Sequence, residues 1–257
     1  MFNQIFVSYL VRKNILAPKQ AQEVLVASSN VMNVIMKTGV ASAENKPTLL
    51  KQILCDILCD NEYMKPEQLD ICLDDFKAEL NIGSTQFENL LKEDIDTYLS
   101  YIAGISDDEW LIREYAKMFI ATTLNYINTE FFIKKAFAPD FNTARYVVSQ
   151  NAEGDAPVTF MFASEDSNSA TKFAEKFENG IFEVSDELDD KVRDSLKEFL
   201  NCVTGLLTSE LFNKRKIDLD IEVPEYHSKL PVGSETIILP FSLLHIGEFY
   251  IFIKRNY

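Results

Sequence analysis

The sequence has no run or stripe of lysine and arginine, and its charge is strongly negative. Its 25 basic residues are outnumbered by 40 acidic ones, which gives a formal net charge of −15 at pH 7. A protein that binds nucleic acid must supply cations that replace the counterions around the phosphates. The charge distribution therefore excludes nucleic acid as an expected partner.

A secretion signal and a membrane-spanning segment are also missing from the residue pattern. The opening stretch, MFNQIFVSYLVRK, places its positive charges after the apolar residues and has no small-residue cleavage site. The most apolar stretch, residues 236–254, is interrupted by Pro240, His245, Gly247 and Glu248 before it reaches the ~20 apolar residues that a span requires. We therefore expect a cytoplasmic protein without a membrane partner.

Cysteine and histidine are scarce, with four and two residues respectively. Four cysteines are too few for a disulfide scaffold in a chain of this size. Such low cysteine use is typical of proteins in a reducing compartment. Cys55 and Cys59 are spaced to share a helix face, but His227 and His245 lie far away in the sequence. A zinc site is therefore not expected, and buried apolar cysteines are the simpler interpretation.

The residues that are present suffice for a folded core and for two domains. Apolar residues make up 47% of the chain, and its 257 residues exceed the ~100–200 of a usual domain. The stretch GISDDEW, residues 104–110, places Ser106 and Glu109 at the spacing of a helix-capping box. We place the boundary there, which predicts domains over residues 1–105 and 106–257 and a helix that begins near Asp107.

The first hundred residues have a helical pattern and contain an internal repeat. The stretches YLVRKNILAPKQAQEVL (9–25) and ILCDNEYMKPEQLDICL (57–73) align at a spacing of 48 residues and pair Pro18 with Pro66. Since proline is tolerated in the first turn of a helix, each stretch predicts a helical hairpin whose second helix begins at the proline.

These hairpins resemble the small N-terminal helical domain of type II secretion ATPases, some relatives of which bind a cyclic dinucleotide. The binders begin this motif with Arg-Leu-Gly and end it with glutamine, whereas the corresponding positions here hold Phe6, Val7 and Ser8 and a terminal VLVAS. A docking or oligomerising module is therefore the favoured interpretation. A cyclic-dinucleotide sensor stays open as an alternative.

The second half combines helical and strand-like patterns. A helix is predicted through EYAKMFIATTLNYINTEFFIKKAFA and stops before Pro139, and TARYVVSQ and PVTFMFAS predict a hairpin. Helices follow at SNSATKFAEKFENG and from about Asp186 to Phe212, and then strand-like runs at KIDLDIEV, ETIILPFSLL and EFYIFIK. This order predicts an α+β fold in which long helices pack on a mostly antiparallel sheet.

The long helix separates an apolar stripe from a polar face. The stripe is expected to pack on the sheet and comprises Leu188, Val192, Leu196, Phe199, Val203, Leu206 and Leu207. The opposite face holds Asp194, Glu198, Asn201 and Gly205. Glu198 and Asn201, three residues apart, can reach the same point above the helix, and Gly205 leaves the next turn bare. Solvated polar residues remain the simpler interpretation of this spacing alone.

The stretch from about residue 114 to 254 resembles the CheC/CheX/FliY family of bacterial chemotaxis phosphatases, most closely the CheX type. The resemblance is carried by EFLNCVTG, which reproduces the family's Glu-x-x-Asn-x-x-x-Gly helix, by LDIEVPEY, and by the order of elements. It implies a hydrolase that removes the phosphoryl group from an aspartyl phosphate on a CheY-like response-regulator receiver domain.

Carried over residue by residue, the resemblance makes Asn201 the catalytic amide and Glu198 its anchoring partner. Asp194 and Gly205 would then belong to the partner-binding surface. No metal or cofactor of its own is implied, because the Mg²⁺ of the reaction would come with the receiver.

Two further expectations follow from the resemblance. CheC-type relatives carry a second Glu and Asn pair on the earlier helix, but here Asn125 and Asn128 lack the glutamate, so a single site is expected. CheX-type relatives pair through their sheets, which implies a homodimer. The alternative function is a non-catalytic receiver-binding adaptor or flagellar-switch-like protein.

Overall fold

The chain divides into two compact units, residues 1–102 and 103–257, each with its own core. The computed structural model describes residues 2–37, 46–92, 94–127, 131–134, 146–180, 188–227, 236–243 and 246–256. The predicted boundary lies three residues further along, after residue 105.

The described part of the N-terminal unit is helical. Its helices are α1 (Phe2–Arg12), α2 (Pro18–Lys37), α3 (Lys46–Asp60), α4 (Pro66–Glu79), α5 (Ser84–Leu91) and α6 (Ile95–Tyr98), followed by a π-helical turn over Leu99–Ala103. A cluster of aromatic rings from α1, α4 and α5 forms part of the core, with neighbouring centroids 5.2 to 6.3 Å apart: Phe2, Phe6, Tyr9, Phe76 and Phe87.

The two copies of the repeat use the same turn. Asn14 and Glu62 both adopt a left-handed backbone, with φ of 57° and 56°. In each copy the next backbone N–H reaches back to a leucine carbonyl of the preceding helix, Leu10 at 2.9 Å and Leu58 at 3.0 Å. α2 and α4 then begin at the two prolines of the repeat.

The C-terminal unit is an antiparallel sheet with helices, so the α+β prediction is confirmed. Its elements are α7 (Trp110–Ile127), β1 (Phe131–Ile133), β2 (Tyr146–Gly154), β3 (Val158–Ser164), α8 (Ser167–Phe177), α9 (Leu188–Arg215), β4 (Leu219–Ile221), β5 (Glu225–His227), β6 (Thr236–Leu243) and β7 (Gly247–Arg255). The strand order is β1-β6-β7-β3-β2-β4, with β5 also paired to β2.

Phenylalanine rings join α7, α8 and α9 to one face of the sheet. Phe199 of α9 contacts Phe119, Phe162, Phe173 and Phe177, with centroids 4.8 to 5.8 Å apart. All of these rings except Phe177 are fully buried. α9 is therefore held against the sheet at its middle, where the polar face carries Glu198 and Asn201.

Both faces of the sheet carry buried apolar side chains. The face away from the phenylalanine cluster carries a second buried group: Val147, Met161, Ala163, Ile238, Tyr250 and Phe252. The homodimer implied by the resemblance stays a prediction. None of the helices that the structure describes is long and apolar enough to cross a membrane.

The helix predicted to run until just before Pro139 is too long, because α7 ends at Ile127. Residues 131–133 form β1, which pairs with β6 at the edge of the sheet. This long-range pairing outweighs the local helical pattern. At the other end, the Ser106 N–H donates to the Glu109 carboxylate at 2.9 Å, but α7 begins at Trp110 and not near Asp107.

Two smaller predictions also need correction. Leu206 is 49% exposed, because the buried stripe of α9 continues from Val203 to Leu207 and Leu211 and leaves Leu206 at its margin. The strand predicted over KIDLDIEV spans only Leu219–Ile221. After it the chain forms the connector Glu222–Pro224, where proline has no N–H for a ladder hydrogen bond.

Candidate functional site

Glu198 and Asn201 are exposed on the unbroken helix α9, one turn apart. The two residues between them, Phe199 and Leu200, are fully buried and fix the rotation of the helix. Asp194 is exposed one turn before Glu198. Within the described residues, no group hydrogen-bonds the Glu198 carboxylate, so it is free to accept from a ligand.

An open groove of about 470 Å³ runs between α9 and the connector that follows β4. Its helix side is lined by Asp194, Lys197, Glu198 and Asn201, and its other side by Ile221, Glu222, Val223 and Pro224. Val223 is 83% exposed beside the groove. The polar pair of α9 therefore faces an apolar rim that a binding partner could cover.

The connector wall is tied to β2. The Glu222 N–H donates to the Asn151 carbonyl at 2.9 Å, and Asn151 Nδ2 donates to the Glu222 carboxylate at 3.0 Å. β4 pairs with residues 152–154 of β2 and β5 with residues 147–149, so the connector lies opposite the gap between these two ladders. These bonds hold the groove wall at a fixed distance from the sheet.

Gln150, which the sequence analysis missed, lies beneath the site and is 1% exposed. Its Nε2 donates to Asn201 Oδ1 at 2.8 Å and to the Glu222 carbonyl at 2.6 Å, and its Oε1 accepts from the Thr204 hydroxyl. The signal was present in the sequence. Tyr146 and Val148 alternate along β2 and point inward, and Gln150 is the next residue on the same face. A polar residue there is unusual, because an apolar one is expected.

The groove carries more negative than positive charge. Its carboxylates are Asp194, Glu198 and Glu222, and its cation is Lys197, whose Nζ lies 2.6 Å from Asp194 Oδ1. Cys202 follows Asn201, and burial together with the nearby Glu198 carboxylate raises the pKa of its thiol. The thiol therefore stays protonated near neutral pH. No cluster of metal-ligating side chains occurs among the described residues.

Asn125 does not form a second carboxylate and carboxamide pair like that of Glu198 and Asn201. It is exposed on α7, but the residue three positions earlier is the buried Thr122, so no carboxylate accompanies the amide. Asn128 lies outside the described residues.

Gly205, one turn beyond Asn201, has no structural requirement for glycine within the described residues. A Cβ placed there would meet nothing within 4 Å. Mid-helix glycine costs about 1 kcal/mol relative to alanine. The absence of a side chain is therefore not explained by packing within the described part of the chain.

We expect Gly205→Ala to raise the free energy of unfolding by about 0.5–1 kcal/mol, because alanine lowers the entropy lost on helix formation. Trp110, the only tryptophan of the chain, reports urea unfolding of this unit by fluorescence. The control is Gly154→Ala, which should destabilise, since Gly154 has φ of +118° and its Cβ would lie 2.4 Å from the Asp218 carbonyl oxygen. A loss of stability in Gly205→Ala would contradict the finding that a Cβ at this position meets open space.

No protein-family model matches the sequence, and a search of curated proteins finds no match. Solved structures do show similarity. A CheX–CheY–BeF3–Mg²⁺ complex from Borrelia burgdorferi matches with 19% identity and a TM-score of 0.49, covering 57% of this chain and 97% of that chain. A CheC-like superfamily protein from Shewanella sp. PV-4 matches with 18% identity and a TM-score of 0.48 over the same shares.

FliY from Thermotoga maritima matches with 16% identity and a TM-score of 0.41, covering 54% of this chain and 83% of that chain. The solved structures similar to this chain thus include CheX, CheC-like and FliY chemotaxis proteins.

Proposed function

We propose that this chain hydrolyses the aspartyl phosphate of a response-regulator receiver domain, with Asn201 and Glu198 as the residues that contact the partner's phosphorylation site. One observation carries the proposal: a carboxylate and a carboxamide project side by side from an unbroken helix whose opposite face is locked in the core. The Glu-x-x-Asn-x-x-x-Gly pattern of the sequence supports the same assignment.

The chemistry needs little from this chain beyond positioning. Phosphoryl transfer passes through a loose transition state, and an acyl phosphate already has a good leaving group. The water oxygen forms the new bond to phosphorus, and the bond from phosphorus to the aspartyl oxygen breaks with its electron pair going to the carboxylate. The protons of the water stay with the released phosphate and the solvent. Asn201 would hold that water in line with the breaking bond.

The charge of the groove supports a protein-borne phosphoryl group over a free phosphate ester. Three carboxylates and one paired lysine line it, so it offers no surplus of cations to a free anion. A receiver domain would bring its own lysine and Mg²⁺ to its phosphoryl group. Glu198 would accept a charge-assisted hydrogen bond from that lysine, which fixes the angle of approach.

Glu198→Gln is expected to weaken receiver binding by at least about tenfold, since it removes one partner of an interfacial charge pair. The dissociation constant is measured by titration with a beryllofluoride-activated CheY-like receiver. The matched control is Glu210→Gln, because Glu210 lies on the same helix but outside the groove and pairs with Lys214. An equal loss of affinity in both variants would show that only the net charge of this chain, and not the position of Glu198, affects receiver binding.

The direct test measures phosphate release from a panel of CheY-like receivers phosphorylated with acetyl phosphate. The proposal predicts faster release on addition of the full chain. Binding to a phosphorylated receiver without faster release would contradict the proposal and favour the non-catalytic adaptor. The Gly205→Ala variant adds a second readout, because its new methyl group should weaken receiver binding while it stabilises the helix.

A further inference from the structure

We propose that Gln150 is a positioning residue that holds the Asn201 carboxamide with Oδ1 inward and Nδ2 outward, so that the site presents two N–H donors to its ligand. The inference rests on the function proposed above and adds to it the direction of the catalytic hydrogen bonds. It is carried by the hydrogen bonds of one buried glutamine.

The orientation of Gln150 is set by a group that cannot change its role. The Glu222 backbone carbonyl lies 2.6 Å from the glutamine amide, and a carbonyl only accepts hydrogen bonds. The nitrogen of the Gln150 amide must therefore point to Glu222. The Thr204 hydroxyl is less decisive, because it has a single proton and three acceptors within reach. Besides Gln150 Oε1, its Oγ1 lies 2.9 Å from the Leu200 carbonyl oxygen and 3.2 Å from the Asn201 carbonyl oxygen.

The orientation of Asn201 follows from that of Gln150. Nε2 of Gln150 has two protons and also lies 2.8 Å from the Asn201 carboxamide. If Asn201 turned Nδ2 toward it, two donors would face each other in a buried position, and neither would have an acceptor. Oδ1 therefore faces inward, and no described residue accepts a hydrogen bond from Nδ2.

The buried bond determines which catalytic contacts are possible. An outward Nδ2 can donate one N–H to a phosphoryl oxygen and the other to the attacking water. The water oxygen keeps its second lone pair for phosphorus, so the single amide group can place water and phosphoryl group side by side. Preorganised donors of this kind stabilise negative charge that develops in a transition state.

The first test is side-chain amide hydrogen exchange by NMR on the full chain without any receiver. The Gln150 amide protons should exchange slowly, because both are donated in a buried position, and those of Asn201 should exchange at the rate of an exposed amide. Signals are assigned by their loss in Gln150→Met and Asn201→Ala. Slow exchange at Asn201 with fast exchange at Gln150 would overturn the proposed orientation, whether or not the chain is a phosphatase.

The second test distinguishes a positioning role of Gln150 from a purely structural one. Gln150→Met, which keeps the side-chain length, should lower the turnover number about 10- to 100-fold and leave the half-saturating receiver concentration unchanged. In an Asn201→Ala background the same change should have no further effect. A loss confined to thermal stability, with full turnover in the variant, would show that Gln150 only fills the core.

Thr204→Val provides a variant that keeps the buried volume if Gln150→Met fails to fold. It removes the donor to Gln150 Oε1 and should speed exchange of the Gln150 amide protons and lower turnover. Its control is Thr123→Val on α7, a buried threonine whose hydroxyl has no hydrogen-bond partner among the described residues. Equal effects of the two threonine variants would count against the inference. A chain without phosphatase activity would refute the function proposed above, while the exchange pattern still decides the orientation.

Discussion

Asn201→Ala is expected to lower the rate constant of receiver dephosphorylation by about 100- to 1,000-fold, as the loss of one preorganised donor does in other hydrolytic sites. Because Asn201 is exposed, its truncation removes no buried apolar contact, and the one described hydrogen bond that it removes is the one from Gln150 Nε2 to Oδ1. Receiver binding should persist, because Glu198, Val223 and the groove wall remain. Single-turnover decay of a phosphorylated receiver under saturating variant measures the chemical step alone.

Asn201→Asp tests whether the N–H donors of the Asn201 amide are needed or only the shape of its side chain. The aspartate can still accept from Gln150, but its second oxygen would face the phosphoryl group as a negative acceptor in place of a donor. We expect a loss at least as large as in the alanine variant. Asn125→Ala, at an exposed amide on α7 without a carboxylate neighbour, serves as the control and should retain the full rate. Full activity in Asn201→Asp would contradict a donor role.

The polar face of α9 could be predicted from the sequence because it depends on short-range geometry. The spacing of Glu198 and Asn201 fixes their separation on any regular helix, and the core side chains Phe199 and Val203 fix which way the helix faces. Leu206 marks the limit of this reasoning. Helical spacing puts Leu206 at the margin of the apolar stripe, and the sequence pattern therefore predicts it to be buried. The structure leaves it half exposed.

The parts of the site that depend on strand pairing could not be predicted. Gln150 and Glu222 meet because β2 pairs with both β4 and β5 and leaves a gap between the two ladders. The register of those ladders brings together residues 72 positions apart, and no local pattern encodes it. β1 was missed for the same reason, since its pairing with β6 is also non-local.

The largest effect on stability is expected from Phe199→Ala, the core residue that lies between Glu198 and Leu200. Its ring contacts Phe119, Phe162 and Phe173 and is fully buried. Deleting a buried aromatic ring removes its transfer free energy and leaves a cavity, which costs about 3–5 kcal/mol. Urea unfolding followed by Trp110 fluorescence measures this loss in the unit that contains the site.

The control for Phe199→Ala is Phe212→Ala on the same helix, because Phe212 is 51% exposed and its loss should change the free energy of unfolding by less than about 0.5 kcal/mol. The two variants remove the same atoms from opposite environments. Their difference measures how firmly α9 is anchored beneath the polar pair. Equal destabilisation would mean that the helix is not held at Phe199, and the fixed direction of Glu198 and Asn201 would then have no structural support.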